Sequence, residues 1–482
     1  MMSLPRPGFS PSGGWSRPPA PSSPRRPVSR GARSSLLSVA AALLTTISAG
    51  SSQAAVIEIF PGTNVFKPAA EGLKPGDTLI VHQGTYLETN RMSIQVQGTA
   101  SAPIVIRGAD GEARPVITRP TSASLQNTIN IEGSARYLTI KGLEIVGNGG
   151  DGVNMSGALS FITLEDLVIH DVDVGVNFRS SMDHITVRRN HIYNTGRDGG
   201  TGEGMYVGCN DATCVVRDSI IENNWIHDTL PGTTQGDGIE VKVGSHSNII
   251  RDNVIYNMSF PGILVYGTGA NPPNVVEGNV VWNCPEGIAA LADAVVRNNI
   301  VIGSGCGLCI YSHVQVSQRK NITAVHNTLY RNDDGIYHRW SGTNLVLANN
   351  AIYSPGQTAV NSNGTITSTG GVVAANLVEG AMSGDTIGGG RFLGGGSAAA
   401  AFLDPASNDF WPRSGSPLIG SASAGHTAPA DFNGSTRTSP FDVGAYETNG
   451  QASNPGWRIG AGFKVIGVPT GPPAAPSNLR VQ

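Results

Sequence analysis

The stretches NWIHDT (Asn224–Thr229), NVIYNM (Asn253–Met258) and NVVWNC (Asn279–Cys284) decide the fold. In each, an Asn is followed two positions on by an aliphatic residue and then by an aromatic one. Such alternation has the period of a β-strand, with the aliphatic side chain on one face and the aromatic on the other. Outward from these, the block recurs at Leu143, Leu167, Asn190, Asn299, Asn327 and Asn350, in steps of 20 to 34 residues. A unit of that size carries a few short strands that cannot bury an apolar face alone, so successive units must stack. Ile145, Ile169, Ile192, Ile226, Ile255, Val281, Val301, Leu329 and Ile352 then form an interior column. The expected fold is all-β, a right-handed single-stranded parallel β-helix. The period of two and the many β-branched residues argue against helical tandem repeats.

The next position in the block gives His170, Tyr193, His227, Tyr256, Trp282, Tyr330 and Tyr353. This outward stripe would either stack on sugar rings or simply stiffen the sheet. The repeated Asn residues are expected where the chain bends, with amides bonded up the stack. A second column, Gly152, Gly175, Gly204, Gly238, Gly262, Gly287, Gly307 and Gly335, marks the turn into another strand. Between the Asn and Gly columns, two neighbouring coils carry insertions, TGRDGGTGEG (Thr195–Gly204) and DTLPGTTQGDG (Asp228–Gly238), and GCNDATC (Gly208–Cys214) adds a third loop. Loops are where a solenoid places function.

With 63 Gly and 14% charged residues among 482, the composition suits short strands and tight turns. Residues 1–54 read as a signal peptide, with six Arg before the apolar run Leu36–Ile47. That run is too short for a ~20-residue membrane span. The leader holds six Arg and no acid, so removing it takes the formal charge from −3 to −9. A secreted, acidic, monomeric protein is expected, with no nucleic-acid partner; a polyanionic substrate would need local cations or a metal. Residues 55–447 form the β-helix domain, including a cap region at 362–447, and 448–482 a linker or disordered tail. Cys209 and Cys214 bracket a loop and would bridge under oxidising conditions, and the C-x-x-C at Cys306 lacks a second pair for a metal site.

Registering the strands after the Gly turns sets Asn154, Asn177, Tyr206, Glu240 and Leu264 in one outward row and Ser156, Arg179, Gly208, Lys242 and Tyr266 in another. Asp151, Glu203 and Asp237 stand just before the turns. For β-elimination from a uronate polysaccharide, Lys242 would be the base, Arg179 the charge stabiliser, and Tyr266 or Tyr206 the proton donor. Asp237, Glu240 and Glu203 would hold Ca²⁺, which prefers oxygen ligands. Two of these acids would equally serve a glycoside hydrolase. His227 and Tyr193 of the stripe, with Arg197 of the first insertion, are candidate substrate-binding residues. A purely structural alternation of Glu240 and Lys242 is the competing account.

KPGDTLIVHQGTY (Lys74–Tyr86) and GTASAPIVIRGADGEARPVI (Gly98–Ile117) resemble the start of chondroitinase B and alginate-lyase-type polysaccharide lyases, which are pectin lyase-like β-helices. DGIEVKVGSHSNIIRDN (Asp237–Asn253) is similar to the lyase strand in which a calcium-binding acid precedes the catalytic lysine. The resemblance implies Asp237 as that acid and Lys242 as the base. Where those lyases carry an arginine on the following coil, this chain has GILVYG with Tyr266. Phe402–Glu447 resembles the C-terminal end of secreted β-helix proteins of the choice-of-anchor kind. The reading is a lyase acting on an acidic polysaccharide, with a non-catalytic glycan-binding protein or a glycoside hydrolase as alternatives.

Overall fold

A computed structural model describes residues 54–123, 126–316, 319–339 and 342–465. The signal-peptide reading therefore falls outside the described residues, apart from Ala54. Each coil contributes strands to three columns, and neighbouring coils pair in parallel. The first column starts at Val56–Ile59, runs through Thr186–Arg188, Ile220–Glu222, Ile249–Arg251 and Asn274–Glu277, and stacks thirteen strands in an unbroken path. The second carries the sequence blocks, for example Trp225–Thr229, Val254–Tyr256 and Val280–Trp282. The third follows the Gly turns, with Val176–Phe178, Met205–Val207, Ile239–Val241 and Ile263–Val265. Among the described residues no helix is long and apolar enough to cross a membrane.

The aliphatic column from Ile145 to Ile352 is completely buried and joins one continuous core with side chains of the other two columns. The Gly column is required by close approach. A Cβ on Gly204 would sit 2.5 Å from both the Gly238 carbonyl oxygen and Ile226 Cγ2, and Gly175 and Gly238 are confined in the same way.

The Asn column is a buried amide ladder. Asn190 Nδ2 donates to Asn224 Oδ1 at 3.0 Å, and the series continues through Asn253, Asn279, Asn299, Asn327 and Asn350 to Asn376. Each amide also donates to a backbone carbonyl, so these buried polar groups are satisfied. The bend lies one residue earlier than the sequence reading placed it: Asn223, Asp252, Asn298 and Asn349 take φ of 52 to 59°. Asn376 also shows that the Gly/Ser/Ala-rich stretch from Ser362 still supplies coils.

On the outer face of the first column, Glu165, Arg188, Glu222, Arg251, Glu277 and Arg297 fall in direct register. Charge alternates at every step, with ion pairs of 3.0, 2.6 and 2.7 Å at Arg188–Glu165, Arg251–Glu222 and Arg297–Glu277. Opposite charges stacked across strands are favourable, and this face is a structural ladder.

After the helix Ala398–Ala401 the chain leaves the coil stack and runs back along its flank. Ala445 N donates to Thr328 Oγ1 at 3.0 Å, Arg437 Nη2 to Asn298 Oδ1 at 2.9 Å and Lys464 Nζ to Asp252 Oδ1 at 2.6 Å. In the segment from residue 448, expected to be a linker or tail, Lys464 is buried against the Phe432 ring, while residues 449–463 are exposed or half-buried. Phe402 and Phe410 cover Tyr353 and Tyr330, so those two members of the aromatic stripe are buried and not exposed.

Candidate functional site

The third column builds the site. Asn177, Tyr206, Glu240 and Leu264 pair in consecutive register, as the sequence alignment of coils required. Ile239 and Val241 point into the core, so Glu240 between them points outward. It is nevertheless buried, at 2% exposure, as are Lys242 at 4% and Tyr266 at 4%. What covers them was invisible to periodicity. The segment from Ser312 to Val316 leaves the Cys309 coil and reaches back, placing the His313 ring edge-on to Tyr266 with centroids 5.0 Å apart and Val316 beside Gly267.

Lys242 Nζ forms an ion pair with Glu240 Oε1, to which Tyr266 Oη also donates at 3.1 Å. The ammonium lies 4.6 Å from the Tyr206 ring centre and 5.3 Å from that of Tyr266, a cation held between two π faces. Tyr206 Oη donates to Asn210 Oδ1 at 3.1 Å, tying the site to the third loop, where Cys209 and Cys214 are disulfide-bonded.

Glu203, Asp237 and Glu240 each present a carboxylate oxygen within 4.8 Å of the others, and all three are buried. Thr201 Oγ1 of the first insertion donates to Glu203 Oε2 at 2.6 Å. Glu203 Oε1, Asp237 Oδ1, Glu240 Oε2 and Asn177 Oδ1 are buried without a hydrogen-bond donor. Burial and the neighbouring carboxylates push the Glu203 carboxyl up to about 7 and Asp237 well above the usual range. Two coil spacings from Glu203, burial raises Asp151 to about 6, although Asn177 Nδ2 donates to it at 2.9 Å. Converging acceptors with no donor fit a hard divalent cation. Oxygens bound to Ca²⁺ at 2.3–2.6 Å lie within about 5 Å of each other.

Of the sequence candidates, the structure brings together Glu203, Tyr206, Asp237, Glu240, Lys242 and Tyr266. Arg179 is exposed at the open edge, two coils from Lys242. Tyr193, His227 and Arg197 lie elsewhere. Tyr193 and His227 belong to the second column, and Arg197 reaches toward Asp171 at 3.8 Å. His170, Tyr193, His227, Tyr256 and Trp282 are stacked at centroid separations of 4.2 to 5.5 Å. Each interior ring spends both faces on its neighbours, so His227 and Tyr193 offer a sugar ring edges and not open faces. Thr201, Asn177 and His313 were missed by sequence reasoning. Thr201 and Asn177 had a usable signal in their positions beside Glu203 and Tyr206, and His313 had none. A cleft of about 470 Å³ at another corner, lined by Arg107, Arg114, Lys141, Arg189, Asp110, Glu112, Glu165 and Asp166, balances its charges and lacks such unpartnered groups.

The profile of the family described as right handed beta helix region matches residues 104–273 and 198–315. No curated protein sequence matches significantly. Among solved structures, pectate lyase Pel9A is 16% identical, with 81% of this chain and 96% of that one covered and a TM-score of 0.51. The alginate lyase from Paenibacillus sp. str. FPU-7 is 22% identical over 55% of this chain and 93% of its own, with a TM-score of 0.46. A mannuronic acid specific family 6 lyase from human gut microbiota is 16% identical over 67% and 82%, with a TM-score of 0.46. The chain is a right-handed parallel β-helix.

Proposed function

We propose that the protein is a secreted lyase that cleaves an acidic, uronate-containing polysaccharide by β-elimination. The observation that carries this reading is the buried set Glu203, Asp237 and Glu240, with more negative charge than its single lysine offsets, beside the exposed Arg179. Lys242, buried beneath the Ser312–Val316 segment, reaches a polymer only when that segment moves aside, and then takes the proton next to the substrate carboxylate. It must do so as the neutral amine, with its ion pair to Glu240 opened. Tyr206 and Tyr266 fix the direction of Nζ, and either hydroxyl can protonate the leaving oxygen. Arg179, two coils from Lys242, is too distant to stabilise the developing enolate, and instead binds a carboxylate further along the polymer. Glu203, Asp237 and Glu240 would hold Ca²⁺, which supplies positive charge for the substrate carboxylate.

Incubating uronate polymers with the protein and Ca²⁺ and following absorbance of the unsaturated product tests this directly. Growth of absorbance that disappears in Lys242→Ala is the expected result. A second reading, glycoside hydrolysis, is favoured by one observation: burial raises the Glu203 carboxyl to about 7, so that a substantial fraction keeps its proton near neutral pH, as a general acid needs. Reducing ends appearing without absorbance would select it. Glycan binding with neither signal, unaffected by Lys242→Ala, would leave a binding protein.

A further inference from the structure

The outer face of the third column differs on the two sides of Lys242. Toward the C-terminal coils the outward positions are sealed: Leu264, Tyr266, Ala289, Leu291, Ala292 and Cys309 are 0 to 6% exposed and pack with Val316 into an apolar cluster. The hairpin closed by pairing of His313 with Val316 lies over them. Its His313 ring rests on Tyr266, the nearest neighbour of Lys242 on that side. The next outward residue, Tyr311, is already half-buried, and beyond it stand Tyr337 and Arg339, with Arg339 tied to Asn361 Oδ1 at 2.6 Å and stacked on the Tyr337 ring. Toward the N-terminal coils the same rows are polar, although Asn177 among them is buried. Tyr206, Asn154 and Ser156 are half-buried and Arg179 is exposed. Arg179 stands two coil spacings, about 10 Å, from Lys242.

From this asymmetry, and resting on the lyase reading above, we infer that Lys242 lies at the closed end of a one-sided groove, so that the polymer is cut from an end and not at internal bonds. The bound chain extends over Tyr206, Arg179 and Ser156, with Arg179 anchoring a uronate carboxylate one to two sugars from the cut. The Ser312–Val316 hairpin is the wall that stops the polymer from continuing past the lysine. Arg339, beyond the wall, makes no contact with it.

Two measurements on the full-length protein test the groove. First, product size is followed from the earliest time points on long uronate polymers. One short product present from the start, with solution viscosity lagging behind bond cleavage, is expected; an early ladder of long fragments would overturn the inference. Second, Arg179→Ala and Arg339→Ala are compared by KM where the polymer is turned over, and by Kd for a uronate hexasaccharide where it is not. Loss of one charge-assisted contact should weaken binding about tenfold in Arg179→Ala, while Arg339→Ala stays at the wild-type value. Equal weakening in both variants would mean that the chain crosses the hairpin. Absence of unsaturated product from every uronate polymer sinks the lyase reading alone, because the Kd comparison still decides the direction of the groove. Failure of any uronate oligomer to bind sinks both.

Discussion

Two outer faces of the same solenoid handle charge in opposite ways. On the first column, Glu165 to Arg297 alternate sign at every coil, each side chain touches its counter-ion, and solvent reaches all of them. On the third column, three carboxylates and one ammonium occupy adjacent coils at 4% exposure or less, with acceptor oxygens left without donors. Parallel stacking with a fixed register produces both, since it places equivalent residues directly above one another. A sequence that alternates charge along the stack gains a stable surface. One that repeats acids and then covers them keeps an unbalanced field, which costs stability unless a bound ligand offsets it.

The sharpest way to break this comparison is Lys242→Ala. It strands Glu240 as a buried, unpaired charge, and a loss of about 3–5 kcal/mol in urea unfolding is expected. Replacing Lys242 and Glu240 together by Met should recover most of it; if it does not, the pair is a packing element and the contrast fails. Next in size is the response to metal. Ca²⁺ at a hundredfold excess over its Kd should stabilise the protein by about 2.7 kcal/mol, read as a rise in Tm. Glu203→Gln with Asp237→Asn should abolish that rise, whereas Glu222→Gln in the ladder should leave it intact.

Acid titration gives a smaller effect from the aromatic stripe. Burial, with His227, His170 and Arg114 nearby, lowers His191 to about 4. A depressed histidine contributes stability that is complete above pH 6.5 and is lost as pH falls toward 4, because the unfolded chain takes the proton first. Discounted for partial exposure, the loss is on the order of 1–2 kcal/mol, and His191→Phe should remove it from a pH series of unfolding curves. Glu203 works with the opposite sign in metal-free buffer: its raised value imposes a cost that builds as pH rises from 4.5 to about 7 and is relieved as pH falls back through that range. The smallest effect belongs to the ladder itself: Glu222→Gln should change unfolding free energy by less than about 1 kcal/mol. A larger change would show that the ladder is a stabilising network and narrow the difference between the faces.

Much of this was legible in the sequence because a solenoid writes its register into the chain. The Ile169–Ile192–Ile226 column, the Gly204–Gly238 turns and the pairing of Tyr206 with Glu240 follow from alternation and block spacing alone. The grouping of Glu203, Asp237 and Glu240 followed from the same registration. Burial of Lys242 did not, because the hairpin bearing His313 comes from three coils away and obeys no repeat. Periodicity also assigns a face without saying whether something lies upon it, which is why Tyr330 and Tyr353 read as exposed. The bend was misplaced from Asn224 to its neighbour because both positions are Asn, one chosen for its backbone and the other for its amide.

The returning C-terminal segment changes what kind of object the solenoid is. A stack in which each coil touches only its neighbours melts like a zipper, opening from either end. Here a single strand of chain is pinned at Asn349, Thr328, Asn298, Asp252 and Asn223, five coils that are otherwise linked only in series. Like a batten nailed across floorboards, it makes these coils share each other's fate. The coil bearing Lys242 lies between two of the fixed points, and its geometry is therefore guarded by residues some two hundred positions away in sequence.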